Sequence, residues 1–294
     1  MKAAAAALAL VLLLTLGPAT AAFAAEDKIA VVAAENFYGD IASQIGGDRV
    51  TVVSIMSNPD QDPHLFETTP ATVRQIAGAQ IVILNGANYD PWMEKLLAST
   101  PRPTRAAINA AQFTGRKPGD NPHLWYDPAT MPAVATAIAD ALSKADSAHA
   151  SDYVARLKVV LASLARITQR VAELKTKHAG TAVTATEPVF GPMADALGLA
   201  MRNQRFQLAM MNDTEPSARD VAAFERDLKD RKVRVLIYNS QVSEKLTERL
   251  RDVARKSKVP VVGVTETMPP RTSFQDWLLG ELDALDKALS EPNS

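Results

Sequence analysis

An α/β fold of two lobes, each with a mostly parallel sheet and both joined by a single long α-helix, is predicted by three observations. Short apolar, β-branched runs alternate with helical patterns in both halves of the chain, as strand–helix units around parallel sheets do. Between the halves, Tyr153, Leu157, Val160, Leu164, Ile167, Val171 and Leu174 recur at alternating spacings of four and three residues, which draws one apolar stripe along one helix. Roughly 270 residues follow the N-terminal apolar run, enough to bury the core of two lobes.

Taken in order, residues 1–24 read as a cleaved signal peptide and not as part of the fold. Lys2 is followed by an apolar run over 3–17 and by the small-x-small pattern Ala22-Phe23-Ala24. Gly17-Pro18 interrupts the run before it reaches the roughly 20 residues that a membrane-spanning helix needs. Residues 28–33 predict a strand, 38–45 a helix ended by Gly46-Gly47, 50–56 a second strand and 81–84 a third, closed by the turn Asn85-Gly86. Helical patterns follow at 91–97 and 128–143. The second half predicts strands at 181–184, 233–238 and 259–264, with a helix before residue 233 that starts at Ser217 and has Asp220 three residues on.

The striped helix is predicted over 151–178, with Ser151 as N-cap and Gly180 as terminator. At 1.5 Å per residue it would be about 42 Å long, enough to run the height of both lobes. A coiled-coil dimer would use the same stripe and is the competing explanation. The chain thus divides into a leader at 1–24, an N-terminal lobe at 25–148, a connecting helix at 149–179 and a C-terminal lobe at 180–294.

Composition narrows the function. With no cysteine there is no disulfide framework, no thiolate metal site and no thiol for a lipid anchor, which suits a free periplasmic protein. Without Lys2 the chain has 31 basic and 33 acidic residues, a formal charge of −2, and gives no reason to expect nucleic acid or an anionic membrane as partner. Two of the four histidines share one frame, Asp62-Pro63-His64-Leu65-Phe66 and Asn121-Pro122-His123-Leu124-Trp125. A single Pro-His is ordinarily a turn. The duplicated frame points instead to metal ligation, because neutral imidazole is the commonest protein ligand for transition metals and proline stiffens the loop that presents it.

His64 follows a strand, where open α/β sheets bind ligands. The second half offers Glu187 and Glu266, each just past a predicted strand. Two imidazoles and two carboxylates would neutralise a divalent cation. Glu187 could equally be a carboxylate favoured by a helix entrance, and Glu266 a solvated loop acid. Asp62, Glu67 and Asp127 are candidates for orienting the imidazoles. His149 and His178 read as ordinary exposed residues. Met210-Met211 reads as part of a core strand and not as a copper site.

The chain resembles the metal-binding solute receptors of bacterial ABC importers for zinc, manganese or iron(II). The resemblance covers the mature chain, from Glu35-Asn36-Phe37-Tyr38-Gly39 through Asp62-Pro63-His64, Asn85-Gly86, Trp92-Met93-Glu94-Lys95-Leu96 and Asn121-Pro122-His123-Leu124-Trp125 to Glu215-Pro216-Ser217. It implies two α/β lobes on one long helix, one divalent ion as cargo between them, an inner-membrane ABC permease as partner, and a monomer without catalysis. It also implies that His64 and His123 take the first two ligand positions, Glu187 the third, and Glu266 a position usually held by aspartate. Zinc-carrying members commonly have a third histidine where Glu187 stands, and a histidine-rich loop where residues 113–120 have none. Oxygen donors shift the expectation toward manganese or iron(II), although affinity at such sites stays high for zinc. A secreted metal-dependent hydrolase, with Glu266 as base, and a metal-stabilised adhesin are the alternatives.

Overall fold

The computed structural model describes residues 28–58, 66–242 and 244–291. The predicted leader therefore lies outside the described residues, and so does His64. The N-terminal lobe runs β1 (Ile29–Glu35), α1 (Asn36–Gly46), β2 (Val50–Met56), α2 (Pro70–Gly78), β3 (Ile81–Leu84), α3 (Pro91–Ser99), β4 (Ala106–Asn109) and α4 (Thr130–Ala145). Helix α5 (Ala150–His178) follows. The C-terminal lobe runs β5 (Ala182–Ala185), α6 (Gly191–Ala196), β6 (Ala200–Arg202), α7 (Gln204–Met211), α8 (Ala218–Lys229), β7 (Leu236–Asn239), α9 (Lys245–Lys256), β8 (Val261–Val264) and α10 (Phe274–Ser290).

Among the described residues each lobe has a four-stranded, all-parallel sheet, ordered β2-β1-β3-β4 and β6-β5-β7-β8. Each sheet reverses its winding between its two central strands, so each has a switch point where a crevice opens beyond the strand ends. The central strands are apolar because helices cover them on both faces; all of β3 is buried. After β3 the chain must turn sharply. Gly86 does so at φ +73°, and a Cβ there would collide with the side chain of Asn109.

Helix α5 is 29 residues long, and Tyr153, Val160, Leu164, Ile167, Val171 and Leu174 are its buried residues. They join one continuous core that includes Val31 and Ile83 of the first sheet and Val183, Ile237 and Val264 of the second. The stripe is covered by α1, α4 and α10 of the same chain, and intramolecular packing accounts for it without a coiled-coil partner. The helix starts one residue before the predicted N-cap: a 3-10 turn over Ser147–His149 leads into it, and Ser151 lies in its first turn.

Several expectations change. Met210 and Met211 end helix α7 and are not in a strand, because Asn203, left-handed at φ 59°, turns the chain out of β6 straight into a helix. His149 and His178 are half-buried, not exposed: His149 Nδ1 lies 2.9 Å from the Asp146 carboxylate and His178 Nε2 lies 2.8 Å from Asp286 Oδ1. Both fasten ends of α5. Strand β7 spans Leu236–Asn239, and the predicted residues ahead of it already bond to β5: Arg234 N donates to Ala182 O and Thr184 N to Val235 O. Strands β4 and β6 and helices α2, α9 and α10 were not predicted.

Because one core serves both lobes, Leu164→Ala should lower the stability of the whole chain by about 2–5 kcal/mol and leave a single urea transition. Unfolding followed by tryptophan fluorescence and by circular dichroism would check this, with the two probes expected to coincide.

Candidate functional site

The carboxyl ends of the two sheets face each other across the seam between the lobes, and residues more than 50 positions apart in sequence meet there. His123 ends the long connection after β4, and a 3-10 turn over Leu124–Tyr126 follows it directly. Glu187 stands two residues past β5, at the entrance of the 3-10 turn Pro188–Phe190. Glu266 stands two residues past β8. His123 and Glu266 are fully buried and Glu187 nearly so.

His123 is set by Asn121. Asn121 Oδ1 accepts from the His123 backbone N–H at 3.1 Å and lies 2.7 Å from His123 Nδ1, while Asn121 Nδ2 donates to Pro188 O across the seam at 2.7 Å. These bonds leave one orientation for the amide. Its oxygen faces the ring and cannot donate, so Nδ1 carries a proton, and in the neutral ring the lone pair falls on Nε2. Among the described residues Nε2 has no hydrogen-bond partner, and Glu266 Oε2 lies 3.4 Å from it. Tyr89 and Trp125 pack edge-on against the imidazole.

The two carboxylates meet on one amide. Asn239 Nδ2 donates to Glu187 Oε2 at 3.2 Å and to Glu266 Oε1 at 2.6 Å. The Tyr89 hydroxyl donates to Glu266 Oε2 at 2.9 Å. Gln241 Oε1 accepts from the backbone N–H groups of Glu266 and Thr267 and so shapes the turn that carries Glu266. Burial, then the charge of Glu266, pushes the Tyr89 phenol well above its ordinary range.

The structure therefore brings His123, Glu187 and Glu266 to one place, and puts His149 and His178 elsewhere. Among the described residues no three histidine or acidic side chains form a complete metal-holding group by themselves. Of the side chains expected to orient the imidazoles, Asp127 instead accepts from Ala129 N at 2.9 Å in the turn before helix α4; Glu67 lines an open surface pocket with Phe66 and Trp92; Asp62 lies outside the described residues. Asn121 takes the role expected of Asp127, because it lies two residues before His123 on the side its Nδ1 faces.

Asn239 is a site residue outside the sequence-predicted set, and a repeat in the sequence points to it. Glu35-Asn36-Phe37-Tyr38-Gly39 and Glu187-Pro188-Val189-Phe190-Gly191 share the pattern Glu-x-x-aromatic-Gly, each beginning at or just past the end of a central strand. Ala33 pairs with Ile83 and Ala185 with Ile237, so Glu35 beside Asn85 matches Glu187 beside Asn239 in register. In the first lobe Asn85 Nδ2 donates to Pro122 O at 2.8 Å, just before His123. Glu35 is fully buried, and burial followed by the charge of Asp90 holds its carboxyl well above the usual range. Asp90, which accepts from the backbone N–H of Asn85 and Gly86, is itself pushed up to about 6 by burial.

Below the site, the Tyr126 hydroxyl lies 2.7 Å from Thr265 O and 2.8 Å from Glu281 Oε2. Glu281 Oε1 accepts from Trp277 Nε1 at 2.9 Å and from Thr265 N at 3.2 Å. A phenol has one proton. The network closes if Glu281 is neutral and donates from Oε2 to the phenol, which donates to Thr265 O. Burial agrees, pushing the Glu281 carboxyl up to about 8.

Two parallel α/β lobes set on one long helix, with polar and acidic side chains converging where their strand ends meet, define a two-lobed ligand-binding protein. The family described as zinc-uptake complex component A, periplasmic (ZnuA), matches residues 31–288, and the chain belongs to it. The iron-binding protein YfeA of Yersinia pestis is 30% identical over 135 residues, a match spanning 43% of this chain and 42% of that protein. The periplasmic zinc-binding protein TroA from Treponema pallidum has the same fold, with a TM-score of 0.77 at 20% identity over 90% of this chain and 100% of that one. So has a manganese-bound periplasmic metal-binding protein, a mutant form, from Candidatus Liberibacter asiaticus, with a TM-score of 0.72 at 19% identity over 89% of this chain and 100% of that one.

The state of Glu281 predicts a pH dependence. Its pKa is raised from the ordinary 4.5 to about 8, so the folded chain keeps a proton that the unfolded chain has lost. The stability it contributes is fully present below the lower value and falls away as pH rises through the upper one. Replacement by glutamine would keep the hydrogen bonds without titrating. Melting temperatures measured across that range should show wild type losing ground to Glu281→Gln as pH rises; a constant difference would mean that Glu281 is ionised throughout.

Proposed function

We propose that this chain is the substrate-binding component of a metal ABC importer. It captures one divalent transition-metal ion between its lobes and hands it to an inner-membrane permease, with no chemical turnover. The observation that carries this reading is the donor set at the seam. The buried Nε2 of His123 lies 3.4 Å from Glu266 Oε2, and Glu266 shares one asparagine amide with Glu187. An imidazole nitrogen beside one buried carboxylate, with a second carboxylate on the same asparagine amide, suits a cation. Family membership supports the same reading, and the relatives named above are described as binding iron, zinc and manganese.

We assign the ligands as His64, His123, Glu187 and Glu266. With two neutral imidazoles the two carboxylates balance a divalent charge, so the site can be buried when filled. The oxygen donors favour manganese or iron(II) as the cargo, with zinc binding tightly in vitro by its place in the affinity order. The lobes correspond to 25–148 and 180–294 about the connection 149–179. The protein works as a monomer in the periplasm after loss of residues 1–24. A hydrolase would need Glu266 as a base acting on bound water. That role is disfavoured by Tyr89 and Asn239, which both donate to its carboxylate.

Calorimetric titration of metal-stripped protein with Mn(II), Fe(II) and Zn(II) tests the proposal. One site per chain is expected for each ion. His123→Ala and Glu187→Gln should weaken it at least as much as the roughly 10–100-fold that loss of an orienting partner costs a metal site. His149→Ala, which alters only the contact with Asp146, should not weaken it. Absence of a tight site for all three ions would overturn the reading.

A further inference from the structure

Glu266 follows a strand of the second sheet, yet the segment that carries it is fastened to the first lobe. The Asn36 amide pairs with both polar groups of Met268: Nδ2 donates to Met268 O at 2.7 Å and Oδ1 accepts from Met268 N at 2.9 Å. Asn36 is the first residue of α1. Asp40 and Gln44 follow at four-residue spacing and therefore share its face of the helix. Asp40 Oδ2 accepts from Phe274 N at 2.9 Å, and Gln44 exchanges side-chain bonds with Gln275 at 3.0 Å. One face of α1 thus engages the segment from Met268 to Gln275 at three successive turns. On the other side of Glu266, Tyr126 from the first lobe reaches Thr265 O.

We propose that Asn36 is a positioning residue of the metal site: by clamping the Met268 peptide it registers Glu266 against His123, so that the fourth ligand is held by the N-terminal lobe as well as by Asn239 and Gln241 of its own lobe. The proposal rests on the assignment of Glu266 as a ligand. Only an amide side chain of this length presents a coplanar donor and acceptor to one residue's N–H and C=O; aspartate lacks the donor and alanine lacks both. Glu266 lies two residues from the clamp, so a shift of Met268 is transmitted with little slack. Loss of the clamp should act mainly on how long the metal stays, because encounter does not depend on a preset ligand.

A double-mutant cycle tests this, reading Mn(II) affinity and dissociation rate for wild type, Asn36→Ala, Glu266→Ala and the double variant. The expected result is about a tenfold loss of affinity from Asn36→Ala in the wild-type background, mostly as faster dissociation, and less than about a twofold loss when Glu266 is already alanine. Asp40→Asn, which keeps the acceptor for Phe274 N, should bind like wild type. An equal loss from Asn36→Ala in both backgrounds would show a general structural effect and overturn the proposal alone. No loss from Asn36→Ala in wild type would overturn it too. If Glu266→Ala binds as tightly as wild type, the ligand assignment fails and this proposal with it.

Discussion

The apolar stripe of α5 sets the distances on which the site depends. Its buried side chains close a core that takes in strands of both sheets, so the lobes share one packed interior and do not meet as two finished surfaces. A core packed at crystalline density transmits displacement instead of absorbing it. The ends of β1, β3 and β4 are therefore held opposite those of β5, β7 and β8, and the loops that leave them need only a few residues to bring His123, Glu187 and Glu266 together. Hinge motion in such an arrangement is small by construction, since separating the lobes widely would expose the stripe to water.

Burial then dictates the chemistry around those loops. A carboxylate removed from water must be given donors, and the donors seen here are amides and a phenol: Asn239 to both glutamates and Tyr89 to Glu266. Neutral donors orient a carboxylate without cancelling its charge, whereas a lysine or arginine in their place would compete with a cation for it. The same economy holds at His123, where a neutral amide fixes the tautomer. The aromatic side chains beneath, Phe37, Trp125, Tyr126 and Trp277, keep water out and strengthen each of these interactions.

How far the fold was legible follows from where the signal lies. The central strands β1 and β3 and the helix α5 show in sequence because their burial is strong and periodic. The edge strands β4 and β6 are short and partly exposed, so their apolar pattern is too weak to separate from a loop. His123, Glu187 and Glu266 show in the sequence, the histidine by its repeated frame and the glutamates by their post-strand positions, and the structure brings them together. Asn36, Asn121 and Asn239 do not, because an asparagine's role is decided by what it faces. Asn36 and Met268 are 232 positions apart and Asn121 and Pro188 are 67 apart. Only the repeated Glu-x-x-aromatic-Gly, with an asparagine in register on the next strand, could have pointed to Asn239.

The proposed place of the metal ion is the seam, on the side chains the lobes bring together. Anomalous diffraction from crystals grown with Mn(II), recorded on both sides of the manganese absorption edge, tests it most directly. One strong peak per chain is expected, within bonding distance of His123 Nε2 and of carboxylate oxygens from both Glu187 and Glu266. A peak bonded to other side chains, or none at the seam in protein shown to carry manganese, would contradict it.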